Sequence, residues 1–92
     1  MDALVVEVNV EGAPFRPGQP VLIRHAAEDM DPRFAGSRGV VTALVYDEPL
    51  QQFPRDPLLR VHVEGLGDDL FLPKELSPAA SGTVARPRAR RG

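Results

Sequence analysis

Nine of the thirteen carboxylates in this 92-residue sequence fall into three short groups. The groups are Glu28, Asp29 and Asp31; Asp47, Glu48 and Asp56; and Glu64, Asp68 and Asp69. Carboxylates gathered in this way create a negative field that attracts cations or a basic macromolecular surface. The alternative is that each group belongs to a solvated loop, as runs of charge commonly do. A calcium site is not predicted, because the first group lacks the alternating Asp and Asn spacing of a calcium-binding loop.

Residues that carry catalysis or hold metals are few. The sequence has no cysteine, which excludes thiolate metal sites and cysteine nucleophiles. Its two histidines, His25 and His62, have no neighbouring carboxylate at the spacing of metal ligands. Gly36–Gly39 lacks the spacing of a phosphate-binding loop. We therefore predict a protein that is not an enzyme and needs no metal or cofactor, unless either histidine lies beside a carboxylate in a closed pocket.

Charge is distributed unevenly along the chain. Residues 1–78 hold all thirteen acidic residues and seven basic ones, which gives them a net charge of −6. The last fourteen residues carry four arginines and no acidic residue. With almost no large apolar side chain, residues 79–92 are predicted to be a disordered basic tail. Because the acidic remainder repels nucleic acid and four arginines bind phosphate only weakly, we expect no direct DNA binding.

Apolar residues alternate with polar ones over short runs, which predicts β-strands and not helices. The five predicted strands are Ala3–Val10, Pro20–His25, Arg38–Tyr46, Leu59–Val63 and Asp69–Leu72. Two long connections separate them: the long loop, residues 26–37, anchored by Phe34, and the acidic loop, residues 47–57, which holds three prolines. Pro73–Leu76 is predicted to form a short 3-10 turn, because proline suits the first position of a helical turn.

This layout predicts an all-β fold, a small five-stranded SH3-like barrel over residues 1–78, followed by the tail. In such a barrel the two long connections flank one groove, where their six carboxylates would converge. A chain of 92 residues has room for one modest core. It contains no apolar run near the roughly 20 residues of a membrane span and no signal peptide at its start, so we expect a soluble, cytoplasmic monomer.

Several segments, taken in order, resemble the CarS antirepressors of myxobacterial light-induced carotenoid synthesis. They are Gly12–Gly18, Gly39–Pro49, Phe53–Leu58 and Val63–Leu76, and the resemblance spans Val8 to Leu76. It implies an SH3-like domain that binds the DNA-binding domain of a MerR-type transcriptional repressor and keeps it off its operator. In that family acidic side chains take the place of operator phosphates, which is consistent with the grouped carboxylates of this chain.

The resemblance also implies which residues contact the partner. Asp47, Glu48 and Asp56 match acidic or loop positions of the family, as do Glu64, Asp68 and Asp69, although the last two also suit a turn into a strand. Tyr46 and Phe53 are either hydrophobic anchors beside these carboxylates or members of the core. The long loop is the part least similar to the family, so its carboxylates receive no role.

A second interpretation of the same features is an accessory subunit of a larger enzyme complex, in which the barrel contributes packing and no chemistry. The two interpretations differ in electrostatics. Mimicry of DNA predicts binding that weakens steeply with salt and depends on loop carboxylates, whereas a subunit interface is more apolar and less sensitive to salt.

Overall fold

The computed structural model describes residues 2–79, and the predicted tail, apart from its first residue, Ala79, lies outside the described residues. Six strands form one antiparallel sheet: β1 (Leu4–Val6), β2 (Pro20–Ile23), β3 (Arg38–Tyr46), β4 (Leu58–Val63), β5 (Gly67–Phe71) and β6 (Leu76–Pro78). A single α-helical turn, α1 (Pro49–Gln52), and two 3-10 turns, Pro32–Phe34 and Pro73–Glu75, lie between them. The all-β prediction is confirmed, with six strands where five were predicted.

The nine-residue strand β3 is the centre of the sheet, as its run of β-branched and aromatic residues predicts. The sheet order is β5-β4-β3-β2-β6, and β1 also pairs with β3. β4 lies along one edge of β3, from Val40 to Val45. On the other edge, β2 pairs with the beginning of β3 and β1 pairs with its end.

The first strand is shorter than predicted, because its partner edge is already occupied. β1 pairs Leu4 with Tyr46 and Val6 with Leu44, and then the pairing stops. Beyond that point the Gly18 amide donates to the Val41 carbonyl at 2.7 Å, so the segment before β2 takes the same edge of β3. The predicted alternation through Val10 therefore does not continue as a strand.

The sixth strand replaces the end of the predicted helical turn. Leu76 begins β6 and is only 6% exposed, where the sequence predicted the last residue of a 3-10 turn. It pairs with Ile23 in β2, and Pro78 closes the ladder opposite Val21. Proline lacks an N–H group and is tolerated at the edge of a sheet, which is where β6 lies.

A β-bulge in β3 brings Val41 and Leu44 into the same core. Val41 lies opposite Val61, but Ala43 lies opposite Arg60, so one extra residue, Thr42, enters the β3 side of the ladder. The extra residue reverses the alternation, and both Val41 and Leu44 become fully buried although they are three positions apart. The Thr42 hydroxyl donates to the Arg60 carbonyl at 3.2 Å and supports the irregular pairing.

The core is formed by side chains of the sheet together with Phe15, from the segment between β1 and β2, and Phe34, from the long loop. Its buried members are Phe15, Val21, Ile23, Phe34, Val41, Leu44, Tyr46, Leu59, Val61, Val63, Phe71 and Leu76. Phe34 is the anchor of the long loop, as predicted: it is 4% exposed, and its ring meets that of Phe71 edge to face, with centroids 5.5 Å apart. Within residues 2–79, no helix is long and apolar enough to cross a membrane.

Gly39 has no room for a side chain against β4, which leads to a prediction about stability. A Cβ atom at this position would lie 2.6 Å from Val61 Cγ1 and 2.7 Å from the His62 carbonyl oxygen. The Gly39→Ala substitution therefore forces the two strands apart, and we expect the free energy of unfolding in urea to fall by roughly 1–3 kcal/mol. Val40→Thr, at an exposed neighbour, should change it by less than about 0.5 kcal/mol. Equal stability of the two variants would contradict this account of the ladder.

Candidate partner-binding surface

The acidic loop joins the end of β3 to the start of β4 and is more ordered than its three prolines suggest. The sequence predicted an irregular loop, but Pro49 starts the helical turn α1, since proline at a first helical position loses no hydrogen bond. The Glu48 carbonyl accepts the first amides of this turn, from Gln51 at 2.9 Å and Gln52 at 3.0 Å. The loop is therefore a folded element that holds its side chains at defined places.

The three carboxylates of the acidic loop are exposed and make no ion pair. Asp47, Glu48 and Asp56 are all open to solvent. Within residues 2–79 the ion pairs are Arg33–Asp31, Arg60–Glu7 and His62–Asp68. None of them involves the acidic loop, although Arg55 lies within it, so all three negative charges remain available to a partner.

Tyr46 and Phe53, which the sequence left between core and surface, occupy different environments. Tyr46 is fully buried at the end of β3, and its hydroxyl donates to the Pro54 carbonyl at 2.9 Å. Burial raises the pKa of Tyr46 above its usual 10.0. Phe53 is 50% exposed, and its ring lies against that of Tyr46 with centroids 5.0 Å apart. Tyr46 thus belongs to the core and supports Phe53, which reaches the surface.

Leu50 is an exposed apolar residue that the sequence reasoning missed. It lies on α1 and is 84% exposed, the largest value among the exposed large hydrophobic residues. Together with Asp47, Glu48, Pro49 and Gln51 it lines a shallow groove. A single leucine in a proline-rich loop produces no periodic pattern, and only its position between acidic residues and Phe53 indicates a surface role. The acidic loop therefore combines negative charge with exposed apolar area.

The other carboxylates assigned to partner contact lie at the opposite end of the β3–β4 ladder. They are Glu64, Asp68 and Asp69, which we call the turn carboxylates. Leu58 pairs with Val45 near the acidic loop, whereas His62 pairs with Val40 just before the turn. Neighbouring residues in a strand project to opposite faces, so Asp68 and Asp69 point apart. Asp69 accepts a hydrogen bond from the Leu70 amide at 2.8 Å, and this contact satisfies a backbone donor of β5.

His62 meets one of the two conditions under which the sequence allowed an enzyme. Its Nδ1 lies 2.6 Å from an Asp68 carboxylate oxygen, because the tight turn brings together residues six positions apart. The two side chains are 48% and 49% exposed, however, so the pair stands on an open surface and not in a closed pocket. Among residues 2–79, no group of three or more His, Cys, Asp or Glu side chains is placed to hold a metal ion.

One carboxylate of the long loop, that of Asp31, forms hydrogen bonds within the loop itself. Asp31 precedes the 3-10 turn Pro32–Phe34, and its side chain accepts hydrogen bonds from the Arg33 amide at 2.9 Å and from the Arg33 guanidinium at 2.7 Å. These contacts lower the pKa of Asp31 from 3.8 to about 2. The convergence of this loop with the acidic loop in one groove stays a prediction.

Comparison with known proteins places this geometry in a family. A family model described as the CarS bacterial SH3 domain matches residues 1–80. The chain belongs to this CarS family. It is 47% identical over 79 residues to the antirepressor protein CarS of Myxococcus xanthus, a match that covers 84% of this chain and 71% of that protein. The resemblance drawn from the sequence segments is thereby confirmed.

A solved structure supports the same assignment. The NMR structure of the Myxococcus xanthus antirepressor CarS1 superposes with a TM-score of 0.57 at 45% identity, covering 85% of this chain and 93% of that one. The predicted SH3-like fold is confirmed by this match. In this CarS domain the acidic loop, the turn carboxylates and the long loop are all carried by the part that matches the family model.

The contacts of Asp31 predict how this CarS domain responds to acid. The pKa of Asp31 is lowered from 3.8 to about 2 in the folded protein. The ionised carboxylate therefore contributes its full stabilisation above pH 3.8, and this stabilisation is lost as the pH falls from 3.8 towards 2. An NMR titration of the Asp31 carboxyl carbon should give a midpoint near pH 2, and Arg33→Gln should raise that midpoint towards 3.8. A midpoint near 3.8 in the unaltered protein would show that the contact with Arg33 does not persist in solution.

The buried hydroxyl of Tyr46 gives a second prediction. Tyr46→Phe keeps the ring in the core but leaves the Pro54 carbonyl without its donor, so we expect the free energy of unfolding to fall by about 1 kcal/mol. Chemical denaturation monitored by circular dichroism measures this loss, with an unchanged spectrum as the control for fold. A variant as stable as the original would mean that water replaces the hydroxyl without loss.

Proposed function

We propose that this chain is an antirepressor that binds the DNA-binding domain of a MerR-type transcriptional repressor and prevents that domain from binding its operator. The observation that carries the proposal is the 47% identity to the antirepressor protein CarS, over a segment that includes the acidic loop and the turn carboxylates. The protein acts as a non-enzymatic regulator, as a monomer, and in the cytoplasm where the repressor meets DNA.

The acidic loop is the part of the surface best suited to take the place of DNA. A DNA-binding helix presents Arg and Lys side chains that neutralise phosphates along the duplex. Asp47, Glu48 and Asp56 offer three exposed carboxylates on a folded loop, without competing ion pairs in the described part of the chain. Complementary charge of this kind accelerates association and makes the affinity fall with salt.

Apolar contacts add affinity that charge alone does not supply. Phe53 is half exposed beside the carboxylates, and Leu50 projects from the same loop. Interfaces concentrate their binding energy in a few well-packed side chains, with aromatic residues enriched among them. In this proposal Phe53 is the anchor, and the buried Tyr46 supports it from the core and does not touch the partner.

The turn carboxylates form a second and weaker contact. Glu64, Asp68 and Asp69 lie at the far end of the β3–β4 ladder, and two of them already engage His62 or the Leu70 amide. Their field still adds to the negative charge of residues 1–78, which steers a basic partner. We therefore assign the acidic loop the larger share of the affinity.

A competition titration tests the proposal. A MerR-type DNA-binding domain is bound to labelled operator DNA, and this protein is added at several salt concentrations. The unaltered protein should release the DNA. The Asp47→Asn, Glu48→Gln, Asp56→Asn variant should bind the repressor domain at least about tenfold more weakly, since tenfold corresponds to only about 1.4 kcal/mol for three lost charges.

A matched variant separates the position of the charges from their number. Asp2→Asn, Glu7→Gln, Glu11→Gln removes the same number of negative charges from exposed sites outside all three groups of carboxylates. It should lose less than threefold in affinity. If both triple variants lose equally, the net charge and not the acidic loop carries the interaction. No release of operator at any salt concentration, from folded protein, would refute the antirepressor function and favour a subunit of a larger enzyme complex.

A further inference from the structure

One side chain joins the two ends of the acidic loop. Gln52 is the last residue of α1; its Oε1 accepts a hydrogen bond from the Glu48 amide, and its Nε2 donates to the Asp56 carbonyl at 3.0 Å. The main chain of Gln52 repeats the link, because its amide donates to the Glu48 carbonyl at 3.0 Å and its carbonyl accepts the Asp56 amide at 2.7 Å. Gln52 thus forms two hydrogen bonds with Glu48 and two with Asp56, and both of these residues carry carboxylates of the acidic loop.

We infer that Gln52 is a positioning residue for the partner-binding surface, an inference that rests on the proposed function. A primary amide is suited to this task, because it offers an acceptor and a donor on one planar group. The contact with Glu48 resembles a capping box, in which a side chain near the start of a helix accepts the amide of the capping residue. An isolated helical turn is unstable in water, so α1 depends on such ties.

The consequence for binding is a surface that is organised before the partner arrives. With the backbone of Glu48 and Asp56 held to the same residue, the main-chain positions from which their carboxylates extend keep a fixed relation to each other. Ordering a loop on binding opposes association, and a loop already ordered avoids that loss. Because Gln52 is uncharged, it provides this order without neutralising either carboxylate.

The order of the acidic loop and its charge should affect different rate constants of binding. A variant that loses the Gln52 hydrogen bonds keeps every charge of the acidic loop. Long-range attraction is then unchanged, so the association rate and its salt dependence should remain. The bound complex should dissociate faster, because the backbone that carries the carboxylates is no longer held in one conformation. Removing the carboxylates themselves should instead slow association and reduce the salt dependence.

The test compares Gln52→Ala and Gln52→Met with Gln19→Ala in the full chain. Methionine keeps the length of the side chain without its hydrogen bonds. Gln19 is a matched control, because its side chain also accepts a backbone amide, that of Arg16 at 3.2 Å, but lies outside the acidic loop. Binding to the repressor domain is followed by stopped-flow or surface-based kinetics, and thermal denaturation measures the folded fraction of each variant. We expect both Gln52 variants to lose about tenfold in affinity through faster dissociation, with association and its salt dependence unchanged, and Gln19→Ala to bind like the original.

Amide hydrogen exchange of the free protein gives a readout that needs no repressor. The Glu48 amide should exchange faster in both Gln52 variants and at the original rate in Gln19→Ala. If exchange is unaltered, or if it accelerates while the affinity stays that of the original protein, the positioning role is wrong. If Gln52→Met binds like the original, packing and not hydrogen bonding acts at this position, which also overturns the inference. Failure of the original protein to bind the repressor domain would instead refute the proposed function alone.

Discussion

The pairing of one long strand with three neighbours is the constraint on which the rest of the structure depends. β3 has two edges of backbone donors and acceptors, and because most of the strand is buried these groups need hydrogen-bond partners within the protein. β4 fills one edge, while β2 and β1 divide the other, so β1 ends where the segment before β2 begins. The same strand delivers the acidic loop at Tyr46 and, through β4, the turn carboxylates at the opposite end. The places of the charged groups therefore follow from backbone pairing.

The features that the sequence predicted correctly are those in which a local pattern coincides with burial. The run from Arg38 to Tyr46 combines β-branched and aromatic residues, and the lone Phe34 had no other role than to anchor its loop. The grouped carboxylates were likewise visible, because charge excludes them from the core. Their exposure in the acidic loop is what a sequence of that composition requires.

The features that were missed depend on contacts between positions that no periodic pattern connects. The bulge at Thr42 shifts the register of β3, and the turn after β4 brings His62 beside Asp68 across six positions. The strand β6 exists only because β2 offers it an edge, and Gln52 has a role only because the loop folds back on it. The bulge and β6 depend on pairing between distant strands, whereas the His62–Asp68 and Gln52 contacts are local but depend on how a turn folds. Neither propensity nor apolar spacing reveals them.

The two loops show contrasting ways of ordering an acidic segment. The long loop is held in part by Arg33, whose positive charge neutralises the Asp31 carboxylate that it binds. The acidic loop is held by neutral groups, the Gln52 amide and the Tyr46 hydroxyl, which bind backbone atoms and leave the carboxylates to solvent. A surface that competes with DNA needs carboxylates that extend from an ordered backbone and that are not already paired with cations. Cationic side chains such as Arg33 order a loop but neutralise the carboxylates that they bind. Neutral hydrogen bonds satisfy both requirements, and for this reason we propose the acidic loop, and not the long loop, as the place where a partner's arginines and lysines bind.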